Sequence, residues 1–246
     1  MALPDVVSPQ AWFTARTQLL AREKKLTRSL DRLNADRRRL PMVRIETDYT
    51  FQGPDGALGL GDLFGDARQL VVQHVMFDPS WDTACPSCSA ALDELSPGML
   101  AHLRARETAF VAVSRAPFAK LAADADRRGW TFPWFSAAGS AFNYDFHVTL
   151  DPAVAPVQYN YRDADALVAA GLGWVVETPG EQPGYSCFLR DGDAIFHTYS
   201  TFGRGTEQLG GGYAFLDMTA LGRQEQWEQP KDRTENARAA MPDFAV

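Results

Sequence analysis

An α/β fold, with a central mixed sheet flanked by helices, is predicted for most of this 246-residue chain, and three observations predict it. From residue 69 onward, short apolar runs alternate with helix-length segments, the pattern that builds a sheet with helices on both faces. The tetrapeptide Cys85-Pro86-Ser87-Cys88 stands just beyond the most apolar of those runs, at the start of a helical stretch. Ahead of the sheet, Trp12, Leu19, Leu26, Leu33 and Leu40 fall seven apart, which predicts a long N-terminal helix.

The helix opens at Ser8-Pro9, an N-cap followed by proline at the first helical position, and Pro41 stops it. Leu30 thickens its apolar stripe. The other face carries eight basic against three acidic side chains from Arg22 to Arg39, a net +5 in an otherwise acidic chain. A stripe so narrow is not stable alone in water, so it is expected to be covered by the protein's own body or by a second copy. The heptad spacing favours a homodimer through this helix. Turn signals at Gly53-Pro54 and Asp55-Gly56 then predict a β-hairpin entrance. A buried strand follows over 69–76, with His74 in its middle, and it leads into the cysteine loop. Short helices are expected after Cys88 and over 99–107, a strand over 109–113, a helix over 117–128 and an extended segment over 130–135. Residues 142–184 read as an insertion, with a helix near 164–171. The segments 185–190 and 194–199 form a hairpin around Asp191-Gly192. A glycine-rich loop over 203–212, the segment 213–216 and a helix over 218–226 complete the core. The predicted organisation is an extension over 1–41, a domain over 42–229 and a polar tail over 230–246.

The net charge of −7 and pI near 5.1 argue against a general nucleic-acid or anionic-membrane binder. The opening MALPDVVSPQAW has no basic stretch followed by an apolar one, and nowhere do eighteen apolar residues run together. A cytoplasmic protein without a membrane span is expected. Three cysteines in a chain of this length do not make a secreted disulfide scaffold.

A CxxC where a strand gives way to a helix is chemically specific. The helix N-terminus offers free N–H groups and a positive dipole end, and both stabilise a thiolate. Cys85 is the expected nucleophile, and Cys88, one turn deeper, the resolving thiol. Pro86 suits an early helical position because it has no N–H to waste. Trp81, Thr83 and Ser87 flank the pair as candidate supporting residues. Arg115, after the 109–113 strand, and Arg204, in the glycine loop, are candidates to lower a thiolate pKa or bind an anion at the sheet's carboxyl edge. His197 and His74 stand singly and read first as hydrogen-bonded core residues, with His197 also a supporting candidate. Cys187, among apolar neighbours, reads as a structural cysteine. Zinc needs four ligands and no second CxxC or paired histidine accompanies the first, so no metal is assigned. The glycine loop matches no phosphate or dinucleotide fingerprint, and no cofactor is expected.

Several segments, namely EKKLTR, RRRLP, HVMFDPSW with CPSCS, AVSRAP, GWTFPW, FNYDF, FHTYSTFGRG and LDMTALGRQEQW, resemble the bacterial "domain of unknown function 899" family. The resemblance runs from Ser8 to about Trp227. It implies a thioredoxin-like fold related to peroxiredoxins of the AhpC/TSA type, and a redox role. Peroxiredoxins carry a PxxxTxxC motif; here Pro79 and Thr83 keep the first spacing, Cys85 comes one residue early, and Pro86 takes the place of the peroxidatic cysteine. At the position where thioredoxins place a cis-proline, this chain has Gly184, next to Pro183.

These readings converge on a thiol–disulfide oxidoreductase acting through Cys85 and Cys88, with a protein or small-molecule disulfide or thiol as partner. Two other classes stay open: a soft-metal module in which the cysteine pair and His197 hold Cu(I), and a non-enzymatic interaction protein working through the long helix.

Overall fold

The computed structural model describes residues 3–209 and 211–231. They divide into two compact units, one formed by residues up to 41 together with those from 215 onward, the other by residues 42–214.

In the first unit, α1 (Pro9–Arg37) begins as the sequence predicts: Ser8 caps it, its hydroxyl accepting the Ala11 N–H at 3.2 Å. No residue of α1 is buried, and Trp12, Leu19, Leu26 and Leu33 are exposed. The helix expected over 218–226 is absent; the chain there forms turns, one of them at Gly222 with φ +67°. Most of the expected tail, residues 232–246, lies outside the described residues.

The second unit is built on an eight-stranded sheet. Its strands in chain order are β1 (Val43–Arg44), β2 (Thr50–Gly53), β3 (Gly56–Gly59), β4 (Gln69–His74), β5 (Thr108–Ser114) and β6 (Trp134–Ser136). Three small pieces, β7 (Thr149–Leu150), β8 (Gln158–Tyr159) and β9 (Arg162–Asp163), and β10 (Gly180–Glu181) lie outside it, and β11 (Gly184–Asp191) and β12 (Ala194–Phe202) complete it. The helices are α2 (Pro86–Asp93), α3 (Pro97–Arg104), α4 (Phe118–Arg128), α5 (Phe142–Asp145), α6 (Ala164–Ala169), α7 (Gly173–Glu177) and α8 (Gly211–Leu216).

Strand order is β1-β12-β11-β4-β5-β6-β2-β3. The strands β4, β5 and β6 run parallel, whereas β11 joins β4, and β12 joins β11, antiparallel. Helix α2, with Cys85 as its N-cap and Cys88 in its first turn, starts beyond the carboxyl end of the central β4. This is a thioredoxin-like arrangement with a long N-terminal helix and an insertion.

Alternation along the strands divides the interior into two cores. Leu70 and Val72 of β4 and Val111 and Val113 of β5 face one core, completed by Phe142, Phe146, Leu150, Tyr159, Leu167 and Val175 of the insertion. Val75 and Ala112 face the other, with Cys88 and Leu92 of α2 and Leu121 of α4. The segment that is hardest to read in sequence therefore covers much of one face of the sheet, together with Phe51, Leu63 and Phe64. Of the extended segment expected over 130–135, only Trp134 and Phe135 enter β6. Pro133 has no N–H for a ladder, while the rings of Trp130 and Phe132 pack tilted, 5.4 Å apart. The expected loop over 203–212 is a 3-10 helix over Gly203–Leu209 followed by α8. Gly184 has a steric reason to be glycine, since a Cβ there would meet the Phe202 ring at 2.7 Å.

Candidate functional site

Between the end of β4 and the cysteines, the chain crosses residues 75–84 in a loop that α4 holds from the side. Lys120 Nζ donates to the carbonyls of Pro79 at 2.9 Å and Trp81 at 2.7 Å. Asp124, 2% exposed, accepts the Ala84 N–H at 2.9 Å and is itself paired with Arg127. Asp78 turns the loop's start by accepting the Ser80 N–H at 2.8 Å and the Ser80 hydroxyl at 2.6 Å. The Cys85 N–H donates to the Met76 carbonyl at 2.9 Å, which closes the loop. Sequence reasoning missed these clamps. The available signal was the four-residue spacing of Lys120 and Asp124, which puts both on one helix face beside the buried Leu121.

Cys85 is the N-cap of α2 and Pro86 its first residue. Hydrogen bonding from the Cys88 thiol, with the N–H groups of Cys88 and Ser87 and the Ser87 hydroxyl, brings the Cys85 pKa down to about 6 despite its partial burial. Cys88 shifts the opposite way, because it supplies the hydrogen bond and is 5% exposed, and its pKa lies well above the ordinary thiol value. One thiol is thus a thiolate at neutral pH and the other holds its proton, with both cysteines free.

The structure brings some of the sequence candidates to this pair and sends others elsewhere. Ser87, two residues on in the first turn of α2, lowers the Cys85 pKa through its N–H and hydroxyl. Trp81 and Thr83 are exposed on the approach loop, where Trp81 contributes its carbonyl to Lys120. Arg115 is committed to carboxylates: it pairs with Asp78, and its Nε donates to Glu181 at 2.7 Å. Burial pushes Glu181 up, outweighing Arg115 and Thr149, whereas hydrogen bonds from Ser80 and the Arg115 charge hold the more exposed Asp78 below its ordinary value. Arg115 thereby ties the cysteine loop to the insertion and contributes nothing to the Cys85 shift. Arg204 donates to Glu207 at 3.0 and 3.2 Å.

His197 lies on the opposite face of the sheet from the cysteines. Its Nε2 meets Ser200 Oγ at 2.7 Å, Ser200 meets Ser186 at 2.7 Å, and Ser186 meets His74 Nε2 at 2.8 Å. The Phe146 and Phe188 rings pack against it. A register shift between Cys187 and Phe188 lets this happen, since it turns His197 and Ser200 to the same face. His197 thus cannot complete a metal site with Cys85 and Cys88. Among the described residues no group of three or more His, Cys, Asp or Glu side chains is placed to hold a metal. Cys187 is half-buried, and burial pushes its thiol up to about 11. No helix among the described residues is long and apolar enough to cross a membrane.

The model of a family described as "Bacterial protein of unknown function (DUF899)" matches residues 1–240. No curated protein matches the chain significantly. Among solved structures, a peroxiredoxin Q mutant from Xanthomonas campestris is similar at 12% identity and TM-score 0.45, covering 69% of this chain and 94% of that one. The peroxidoxin BcpB from Mycobacterium tuberculosis is similar at 15% identity and TM-score 0.41, covering 65% and 86%. A PrxQ mutant from Xylella fastidiosa is similar at 13% identity and TM-score 0.41, covering 65% and 84%.

Proposed function

We propose that this chain, which belongs to the family of bacterial proteins of unknown function (DUF899), is a thiol–disulfide oxidoreductase with Cys85 as nucleophile and Cys88 as resolving thiol. One observation carries the reading: two free cysteines share the first turn of a helix, Cys85 half-buried as its N-cap and Cys88 buried three residues on, so their environments push the two thiols in opposite directions. The Cys85 thiolate attacks one sulfur of a substrate disulfide, the S–S bond breaks, and the far half leaves as a thiolate. Cys88 then loses its proton and attacks Cys85, releasing the second half. Two electrons pass from the dithiol to the substrate, and the new Cys85–Cys88 disulfide awaits a dithiol reductant. Such a cycle belongs in a thiol-reducing compartment such as the cytoplasm.

Trapping tests the reading. A Cys88→Ser protein treated with a nitrobenzoate disulfide is expected to keep one nitrobenzoate on Cys85, located by peptide mass. Wild type is expected to finish with an internal disulfide and none. Label accumulating on Cys187 while Cys85 stays free would contradict it.

A further inference from the structure

Beneath α2, the sheet carries a polar residue where an apolar one would pack. Gln73 of β4 is 3% exposed. It faces the same side as Val75, which packs with Cys88. Its neighbours in the row across the sheet are Ala112 on β5 and Tyr185 on β11. Ala112 belongs to the cluster that holds Cys88. The Tyr185 phenol is kept neutral chiefly by burial. Gln73 is therefore flanked on one side by Ala112, a member of the cluster that holds the resolving thiol. On the helix above, Ser89 follows Cys88 and is 1% exposed. Gln73 Oε1 and Ser89 Oγ are both buried and have no hydrogen-bond partner among the described residues. Unpaired buried polar atoms are costly and uncommon, and two of them, one next to Cys88 in the chain and one in the row of the sheet that carries Ala112 of its cluster, call for a function.

The second half of the exchange supplies one. In the dithiol, the Cys88 proton rests against the Cys85 thiolate. Once Cys85 is in a mixed disulfide its sulfur is uncharged and that acceptor is lost, yet Cys88 attacks only as a thiolate. We propose that Gln73 and Ser89 are positioning residues for resolution, forming the polar wall along which the Cys88 proton passes to water. The inference rests on the dithiol reading above. In the step, the Cys88 S–H bond breaks and its proton goes to water. The Cys88 sulfur bonds to Cys85, the bond from Cys85 to the substrate sulfur breaks, and the substrate leaves with the electron pair as a thiolate.

A symmetrical nitrobenzoate disulfide separates the two halves, because it releases one coloured thiolate when Cys85 attacks and a second when Cys88 resolves. In stopped flow, Gln73→Met is expected to slow the second phase by about tenfold or more. Its pH profile should move upward while the first phase is unchanged. Ser89→Ala should slow the second phase in the same direction. Gln73→Glu, which puts a carboxylate at the same place, should restore the second phase and move its profile to lower pH. A second phase with wild-type rate and pH profile in both Gln73→Met and Ser89→Ala would overturn the proposal. Should Gln73→Met fail to fold, Ser89→Ala decides alone. Wild-type protein that releases no thiolate would instead overturn the dithiol reading, and the proposal with it.

Discussion

The carboxylate of Asp124 on α4 accepts the N–H of Ala84, the residue just before the nucleophile, at 2.9 Å. Asp124→Ala would leave that buried donor unpaired and release the loop from one of its two clamps. A loss of about 1–3 kcal/mol is expected, read as a lower urea midpoint, with a slower reaction at Cys85. Asp124→Asn keeps an acceptor and should lose less. Equal stability of Asp124→Ala and wild type would show that the loop is held without it.

His74 gives the fold a pH dependence whose sign can be worked out. Burial lowers its pKa to about 3 in the folded protein, against about 6.5 for a free histidine. Between those values the unfolded chain binds the proton and the folded one does not, so stability is complete above the upper value and falls as pH drops toward the lower. His197, also lowered chiefly by burial, acts in the same direction. Urea midpoints at several pH values should fall steadily through this window, and His74→Gln should flatten the slope. A midpoint independent of pH across the window would contradict the buried neutral His74.

Peroxide should be a poor oxidant of this protein compared with a disulfide. Pro86 stands where the peroxiredoxin spacing calls for the cysteine, and Thr83 is exposed on the loop. Stopped-flow oxidation by hydrogen peroxide should be slow beside exchange with a nitrobenzoate disulfide. The reverse order would show that the spacing is no obstacle.

The stripe on α1 predicts self-association. With Leu26 70% and Leu33 47% exposed, replacing both by Asp should yield a smaller species in sedimentation, with the cysteine pair still able to form its disulfide. Wild-type protein that stays monomeric at high concentration would show that the helix joins no second copy.

How far the sequence can be read depends on which forces set each element. The long helix, β4, the hairpin β11–β12 and the start of α2 are fixed by local signals: Ser8-Pro9, an unbroken apolar run, Asp191-Gly192 and Cys85-Pro86. The insertion is not, because its small helices and two-residue strands gain stability from burying Phe142, Leu167 and Val175 against the sheet rather than from periodicity. The same contrast governs the site. Cys85, Cys88 and Ser87 act within one helical turn and are visible as a string. Asp124 reaches Ala84 across forty residues, and Arg115 meets Glu181 across sixty-six. Partners so distant in sequence leave no mark in spacing. His197 misleads for a related reason, since a single irregularity in the pairing of β11 with β12 determines which face it takes.

The most direct test is the pH dependence of alkylation at each cysteine of the reduced wild-type protein, followed by peptide mass. Cys85 should react with a midpoint near the value of about 6 that the Cys88 and helix hydrogen bonds give it. Cys187 should lag to a midpoint near 11. A Cys85 midpoint near the roughly 8.5 of a free thiol, or equal rates at Cys85 and Cys187, would contradict a thiolate nucleophile held by its partner cysteine.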